Sequence, residues 1–392
     1  MDILISGAGI GGLSAALCLL KSGHSVRVFE QAAAFNNLGA GIQCGANALR
    51  VFDYLDLLSE IEALSVEPKR AEFRDYKTGD ILYQIPFGKD YRRLYKAPYL
   101  HIHRRDLHQI LLNAVARLAP QALQMNTKVI QVKETSNNVN ITLSDQRSIS
   151  GDCLIACDGI KSSIRSQLFE QTPARFTGNV AWRGVLPTEK LPKDFMDTVV
   201  SNFVGPDKHM VIYYLHKRQL VNFVGVVENN NWTDDSWVSK SPWGELQSDF
   251  AGWHPSVQSI INAMDKEQCF RWALYDHAPL KNWSTQRITL LGDAAHATLP
   301  FMASGAAIAI EDARILQRSL DQTENLSDGL QMYQRNRLKR TTKVQNISKQ
   351  AGKLYHINNR LLQKAAFKAL SLRSNSANAF LPEYDANTIE LI

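Results

Sequence analysis

Residues 2–30 read DILISGAGIGGLSAALCLLKSGHSVRVFE, two short apolar runs on either side of a glycine-rich turn. Residues 3–6 have the composition of a buried strand, residues 11–22 that of a helix, and the alternating residues 25–30 that of a second strand. The stretch therefore predicts a βαβ unit. Such a unit is typical of a parallel sheet in an α/β domain.

The turn itself carries a spaced glycine pattern. Gly7, Gly9 and Gly12 satisfy G-x-G-x-x-G. The first glycine permits a tight turn, the second lets the backbone approach a pyrophosphate, and the third lets the helix pack on the strand. Glu30 ends the second strand, where an acid hydrogen-bonds a ribose hydroxyl and disfavours a 2′-phosphate. The pattern predicts bound FAD or NAD rather than NADP; the alternative is a merely structural glycine-rich turn.

Two later segments also follow short buried strands. One is CDG at residues 157–159, and the other is GDAAH at residues 292–296, which leads to PFMASGAA at residues 300–307. An Asp at a strand end can accept hydrogen bonds from a ribitol or ribose, and a helix start built of small residues can present N–H groups to a flavin. Each segment alone is also typical of an ordinary turn. Together with the glycine pattern they favour FAD.

The pattern changes from about Asn179 to Trp272, where strand-like runs separated by turns predict a mostly antiparallel sheet. Residues 287–291 then form another short buried run, and helical spacing follows to about Leu372. We therefore predict an α/β fold in four segments. They are the first part of an FAD-binding domain (1–178), a mostly antiparallel substrate domain (179–272), the return of the FAD-binding domain (273–330) and a basic helical segment (331–392).

The charge of the chain is concentrated at one end. The 392 residues are 45% hydrophobic and 21% charged, which excludes a mainly disordered chain. The net charge is +6, yet the segment from Gln331 onward holds eleven basic and three acidic residues, so the remainder is slightly acidic. Apolar residues in this segment recur at roughly helical spacing. This predicts a helix packed on the body with its basic face in solvent; the alternative is a surface that binds a polyanion or a membrane.

The five cysteines are scattered and form no CxxC pair, so we expect neither a disulfide framework nor a metal site. The longest apolar stretches fall short of the ~18 residues of a spanning helix. We expect a cytoplasmic monomer or homodimer with no nucleic-acid partner and no integral membrane association.

Three spaced signatures resemble one enzyme family: GAGIGG with Glu30, CDGIKSSIR at residues 157–165, and LLGDAAH at residues 290–296. They are similar to those of the single-component (class A) FAD-dependent aromatic hydroxylases, the fold group of p-hydroxybenzoate hydroxylase. Further stretches, among them LGAGIQCGANALRVF at residues 38–52 and AWRGVLP at residues 181–187, resemble the subgroup of salicylate hydroxylase, 3-hydroxybenzoate 6-hydroxylase and 6-hydroxynicotinate 3-monooxygenase. The resemblance implies a GR2-type Rossmann-like fold that binds FAD, with NADH or NADPH as a transient co-substrate.

The resemblance also implies roles for individual residues. The residues that it assigns to FAD binding are Gly7, Gly9, Gly12, Glu30, Gln43, Arg104, Val129, Asp293, Gly305 and Ala306. In that family, reduced flavin and O2 form a C4a-hydroperoxide, and a phenolic substrate must lose its proton. His209 and Tyr213 lie four residues apart on one predicted strand and so project to the same face. We nominate His209 first and Tyr213 second as catalytic groups; the alternative is two ordinary half-buried strand residues.

The resemblance implies a small aromatic acid as substrate, and salicylate, converted to catechol, is the first choice. The open alternatives are 3-hydroxybenzoate, 6-hydroxynicotinate, urate, a quinone precursor and a tetracycline-like antibiotic. Two positions depart from the family pattern: Ser304 replaces a Gln, and Phe301 replaces the His of the nicotinate enzyme. Phe301 favours an apolar pocket suited to a benzenoid ring. His296 is interpreted as a structural group near the flavin rather than a base.

Overall fold

The computed structural model of the chain describes residues 1–35, 40–169, 173–229, 238–372 and 376–392, with 376–378 as backbone only. Leu38 and Gly39 of the glycine-rich LGAGIQ stretch therefore lie outside the described residues. The strands are β1 (Asp2–Ser6), β2 (Ser25–Phe29), β3 (Gly41–Cys44), β4 (Arg70–Asp75), β5 (Ile81–Pro86), β6 (Leu100–His103), β7 (Leu123–Gln124), β8 (Val129–Glu134), β9 (Val139–Leu143), β10 (Ser148–Gly151), β11 (Cys153–Ala156), β12 (Arg175–Pro187), β13 (Val200–Gly205), β14 (Lys208–Leu215), β15 (Leu220–Glu228), β16 (Val238–Lys240), β17 (Phe270–Asp276) and β18 (Ile288–Leu290).

The helices connect and cover these strands. They are α1 (Ile10–Lys21), α2 (Ala46–Tyr54), α3 (Leu58–Leu64), α4 (Lys89–Tyr95), α5 (Arg104–Leu118), α6 (Ser163–Leu168), α7 (Trp243–Asp249), α8 (Pro255–Ala263), α9 (Asp293–His296), α10 (Gly305–Asp321), α11 (Leu326–Tyr355), α12 (Arg360–Leu372) and α13 (Ser376–Glu383).

The opening βαβ unit builds a five-stranded sheet in the order β18-β11-β1-β2-β7. Its pairings are all parallel. Ile3, Leu4 and Ile5 are fully buried because helices cover both faces of a parallel sheet. Helix α1 packs against α10 and α5. The predicted Rossmann-like region is confirmed.

An eight-stranded sheet forms the second layer, in the order β16-β17-β12-β15-β14-β13-β4-β5. Its pairings are antiparallel except for the parallel pair of β13 and β4. The prediction of a mostly antiparallel sheet after residue 179 is confirmed. Strands β4 and β5, however, come from residues 70–86, which lie within the segment predicted as the first part of the FAD-binding domain.

Side chains alternate between the two faces of this sheet, as the period of a strand requires. On β14, Met210 and Ile212 belong to a core that also contains Trp182 and residues of α7 and α8. His209 and Tyr213 point the other way, into a cleft against the parallel sheet. The strand register therefore decides which residues reach the cleft.

The basic C-terminal segment is not simply a helix with its charges in solvent. Lys339 and Lys343 on α11 are exposed, as expected. Arg337 is fully buried, and so are its two ion-pair partners, Glu311 and Asp312. Because acidic groups of the body take up such charges, the expectation of a solvated basic face is wrong for the inner side of the helix. Among the described residues, no helix combines the length and apolar character needed to cross a membrane.

Candidate active site

A cleft separates the carboxyl ends of β1, β11 and β18 from the inner face of the eight-stranded sheet. Its lining includes the glycine turn before α1, Ala40 with the first residues of β3, the residues that precede α10, and the sheet face. The predicted site residues among this lining are Gly9, Gly12, Gln43, Arg104, His209, Tyr213, Asp293, Gly305 and Ala306. Residues from distant parts of the sequence therefore meet at one place, where parallel strands end.

The three glycines of the first turn are each required for a different structural reason. Gly7 has φ +102°, and a Cβ there would lie 2.4 Å from the carbonyl oxygen of Cys157. A Cβ on Gly12 would lie 2.0 Å from the carbonyl oxygen of Gly7. Gly9 has no heavy atom within 4 Å of the corresponding position and lines the cleft. The first and third glycines thus hold the turn together, and the second leaves room for a ligand.

Replacing Gly12 with alanine is expected to destabilise the apoprotein by about 3 kcal/mol or more, because the added methyl group collides with backbone. The Gly9→Ala variant is the matched control. It should melt like the wild type but bind FAD about tenfold more weakly, a cost of ~1.4 kcal/mol. Thermal melting of both apoproteins and titration of flavin fluorescence would measure the two effects. Equal destabilisation of both apoproteins would contradict this division of roles.

Glu30 and Val129 lie beyond the cleft lining, at the side of the turn. The Glu30 carboxylate accepts hydrogen bonds of 2.8 Å from the backbone N–H groups of Ala8 and Ala32. Thr127 donates its backbone N–H to the carbonyl oxygen of Glu30, and Val129 begins β8 two residues later. The two residues therefore belong to one neighbourhood. Their contacts with the adenosine part of FAD stay a prediction.

Arg104 and Asp293 start helices at the cleft. Arg104 is the first residue of α5 and its side chain is exposed. Asp293 is the first residue of α9 and opens into the cleft. Desolvation raises the pKa of the Asp293 carboxyl, although the nearby charges of His296 and Arg104 act in the opposite direction. Arg104 therefore offers a cation that suits a phosphate, and Asp293 offers a hydrogen-bonding group that suits a polyol.

The start of α10 presents backbone N–H groups to the cleft, and two side-chain hydroxyls lie near it. Gly305 and Ala306 form its first turn and line the cleft. The hydroxyls of Ser304 and Thr298 line the same region and are buried without a hydrogen-bond partner among the described residues. Unpaired buried donors of this kind are costly unless a ligand completes them. This region of the cleft therefore fits the polar edge of a bound flavin.

A buried ionic network supports this region from behind. Asp312 on α10 accepts hydrogen bonds from the Gly292 N–H at 3.1 Å and from the His296 ring at 2.6 Å. Arg337 on α11 donates to the other oxygen of Asp312 at 2.6 Å and to Glu311 at 2.7 Å. These contacts support the interpretation of His296 as a structural group. The network ties the strand end that carries the GDAAH motif to two helices.

Both predicted catalytic residues reach the cleft from β14. The ring of His209 is buried and packs edge-on against Phe301, with ring centroids 5.4 Å apart. Desolvation, with the neighbouring His356, lowers the pKa of His209 well below its ordinary value. The imidazole is therefore neutral at pH 7. Its Nδ1 lies 2.7 Å from Nε2 of His356.

Tyr213 occupies the other end of the same strand face. Burial raises the pKa of its hydroxyl group. Its ring lies over Gly41, where a Cβ would come within 2.6 Å of the hydroxyl oxygen. Gln43, two residues further along, lines the cleft and accepts a 2.7 Å hydrogen bond from the Tyr99 hydroxyl. With its raised pKa, Tyr213 can donate a hydrogen bond to a ligand but is a poor base.

Arg183 is the functional candidate that the sequence reasoning missed. It lies on β12, in register with Val224, which in turn pairs with Val211 of β14. All three line the cleft. The Nε of Arg183 is buried without a hydrogen-bond partner among the described residues, and burial lowers the pKa of the guanidinium, which stays charged. The signal was a charged residue inside an apolar predicted strand.

Comparison with known proteins agrees with this arrangement. Residues 1–348 match the family model described as "FAD binding domain". The chain is 35% identical over 350 residues to a 6-hydroxynicotinate 3-monooxygenase of Bordetella bronchiseptica, covering 88% of this chain and 90% of the relative. It is 34% identical to a 3-hydroxybenzoate 6-hydroxylase of Polaromonas naphthalenivorans, covering 91% and 88%. A salicylate hydroxylase solved as a substrate complex superposes with a TM-score of 0.84 at 26% identity, covering 98% and 96%.

Proposed function

Because this chain belongs to the FAD-binding family of single-component aromatic hydroxylases, we propose that it hydroxylates a small hydroxybenzoic acid, with salicylate as the first candidate. The protein is an FAD-dependent aromatic monooxygenase. When bound, FAD supplies the activation of O2, with electrons from NADH or NADPH. The substrate preference is the part that we infer from this chain's own residues.

Arg183 is the observation that carries the proposal. Its guanidinium is a cation enclosed by the cleft, and its Nε has no protein acceptor among the described residues. A carboxylate is the partner that a buried guanidinium fits best, because the two groups form parallel charged hydrogen bonds. Val211 and Val224 beside it offer an apolar wall. A flat ring with one carboxylate matches this combination.

The residues at the two ends of β14 then face the ring hydroxyl. His209, neutral and buried, can accept the proton of a phenol, while Tyr213 can donate a hydrogen bond. Phe301 packs against His209 and makes that side of the site apolar, which favours a benzenoid ring over a pyridine. This supports salicylate or 3-hydroxybenzoate ahead of 6-hydroxynicotinate. Urate, a quinone precursor and a tetracycline-like antibiotic are less suited, since they do not share the benzoate carboxylate.

A panel of aromatic acids tests the proposal directly. Purified holoenzyme is mixed with each acid and NADH or NADPH, and oxidation of the nicotinamide, hydroxylated product and released hydrogen peroxide are measured together. We expect salicylate or another hydroxybenzoate to stimulate oxidation with matching product, catechol in the case of salicylate. If only compounds without a carboxylate are hydroxylated, the proposal is wrong.

Replacing Arg183 with methionine is expected to weaken binding of the hydroxybenzoate by about 10–100-fold, since a charged hydrogen bond contributes ~1.5–3 kcal/mol. Binding of a phenol that lacks the carboxylate should be unaffected. Perturbation of the flavin spectrum gives both dissociation constants. Arg175→Met serves as a control on the same strand, because Arg175 is largely exposed and pairs with Asp276 outside the cleft. A parallel loss for both ligands would exclude a carboxylate contact.

A further inference from the structure

Behind His209, a line of hydrogen-bonding groups leads away from the cleft. Nδ1 of His209 lies 2.7 Å from Nε2 of His356, the residue that follows α11. Nδ1 of His356 lies 2.8 Å from a carboxylate oxygen of Glu228, at the end of β15. Both distances are those of direct hydrogen bonds. Three residues from three parts of the chain therefore form one continuous series.

The carboxylate at the end of the series fixes the direction of every hydrogen bond. An ionised Glu228 can only accept, so Nδ1 of His356 must carry the proton that it receives. Nε2 of His356 is then an acceptor, and Nδ1 of His209 must donate to it. The remaining nitrogen of His209, Nε2, is left with a lone pair. This is the protonation state that a base facing the cleft needs.

The series also gives a path for the positive charge that would form on His209 when it accepts a proton. His209 is buried, and both desolvation and the neighbouring His356 lower its pKa. A proton taken from the substrate would place a charge where the protein stabilises it poorly. Passing a proton on to a second imidazole removes that charge from the cleft.

The far end of the series is in contact with solvent. The side chain of His356 is 3% exposed, whereas that of Glu228 is 43% exposed. Burial lowers the pKa of His356, and the negative charges of Glu228 and Asp207 oppose that effect. Among the described residues, the charged or titratable groups that act on the two rings include Glu228, Asp207 and Tyr355, whose ring lies 5.3 Å from that of His209. The negative charges of Glu228 and Asp207 therefore favour a proton at the outer end of the series.

We propose that His356 and Glu228 are positioning residues that, with His209, form a proton relay from the substrate hydroxyl to solvent. The substrate O–H bond breaks as the Nε2–H bond of His209 forms. The Nδ1 proton of His209 moves to Nε2 of His356, and the Nδ1 proton of His356 moves to Glu228 and then to water. One proton leaves and no electrons move. The relay rests on the proposed phenolic substrate.

Glu228→Gln in the holoenzyme tests the relay, because it keeps the shape of a surface side chain and removes its charge. Proton release into a weakly buffered dye solution is followed after mixing with salicylate in the absence of NADH. We expect release about tenfold slower than in the wild type. The acid limb of the pH profile of hydroxylation should move about one unit lower, because losing the negative charge of Glu228 lowers the pKa of the imidazole beside it. Reduction of the flavin by NADH should not change.

Glu267→Gln is the matched control, since Glu267 is exposed and pairs only with Lys240 among the described residues. It should behave as the wild type. His356→Gln should slow proton release at least as much as Glu228→Gln; should this buried variant not fold, the surface variant decides alone. Superimposable proton release and pH profiles for Glu228→Gln and the wild type would overturn the relay. The proposed function fails separately, if wild-type enzyme hydroxylates no carboxylated phenol.

Discussion

Replacing Arg337 with methionine is expected to lower the free energy of unfolding by about 3–5 kcal/mol, the largest stability effect that we predict. The guanidinium and both of its carboxylate partners are fully buried. Removing the cation leaves Glu311 and Asp312 with too little positive charge in a region that water does not reach. Burial alone would raise the pKa of both carboxyls, and the guanidinium groups and His296 are what lower it.

The loss should extend to the cofactor. Asp312 holds the Gly292 N–H and His296, which flank the strand end where Asp293 enters the cleft. Glu311 also accepts from Asn47 at 2.6 Å and from Arg340 at 2.8 Å. We therefore expect an altered network to displace Asp293 and the start of α10, which line the part of the cleft that fits a flavin. We expect Arg337→Met to retain FAD less tightly than the wild type even where it is still folded.

Chemical denaturation of the holoenzyme and the apoprotein measures both effects. Lys339→Met is the control, because Lys339 lies two residues along the same helix and is exposed. It removes the same charge and should change the unfolding free energy by less than about 0.5 kcal/mol. If the two variants were equally stable, the buried ion pairs would have no net role.

The convergence of Gly9, Gly12 and Asp293 on one cleft could be predicted because their signals are local. Gly7, Gly9 and Gly12 lie within six residues, and the turn geometry that needs them is set by the adjoining strand and helix. Asp293 follows a short buried strand in the same way. Because the carboxyl ends of parallel strands lie at the same edge of a sheet, these local motifs are enough to predict that the residues meet.

The substrate half depends on pairings that the sequence does not show. Strand β4 joins β13 from more than a hundred residues away, so residues 70–86 could not be assigned to that sheet. Arg183 reaches the cleft because its register with Val224 places it on the same face as His209. A shift of one residue would have buried it on the other side.

The ion pairs of the C-terminal segment also depend on residues far away in the sequence. Its composition showed a surplus of basic residues but not which acidic groups they meet. Arg337 pairs with α10, and Arg360 lies 2.7 Å from Asp75 on β4. His356, in the same segment, completes the series behind His209. The segment thus supports the cleft from outside the regions that carry recognisable motifs.

Replacing His209 with glutamine should give the largest loss of activity. We expect hydroxylation to fall by about 10²–10⁴-fold, the usual contribution of a positioned general base. Reduction of the flavin by NADH should continue, because that step needs no proton from the substrate hydroxyl. The nicotinamide would still be consumed, with hydrogen peroxide released in place of hydroxylated product. Product and peroxide measured in the same reaction would show this change.

Tyr213→Phe is the informative comparison, since Tyr213 shares the strand face but has a raised pKa. A hydroxyl that keeps its proton contributes one hydrogen bond, worth about 0.5–1.5 kcal/mol, so the expected loss is about tenfold or less. The ranking of the two variants therefore separates the base from a group that only orients the ring. If flavin reduction and hydroxylation fell equally in His209→Gln, His209 would shape the cleft rather than accept the proton. The proton relay through His356 and Glu228 would then be excluded as well.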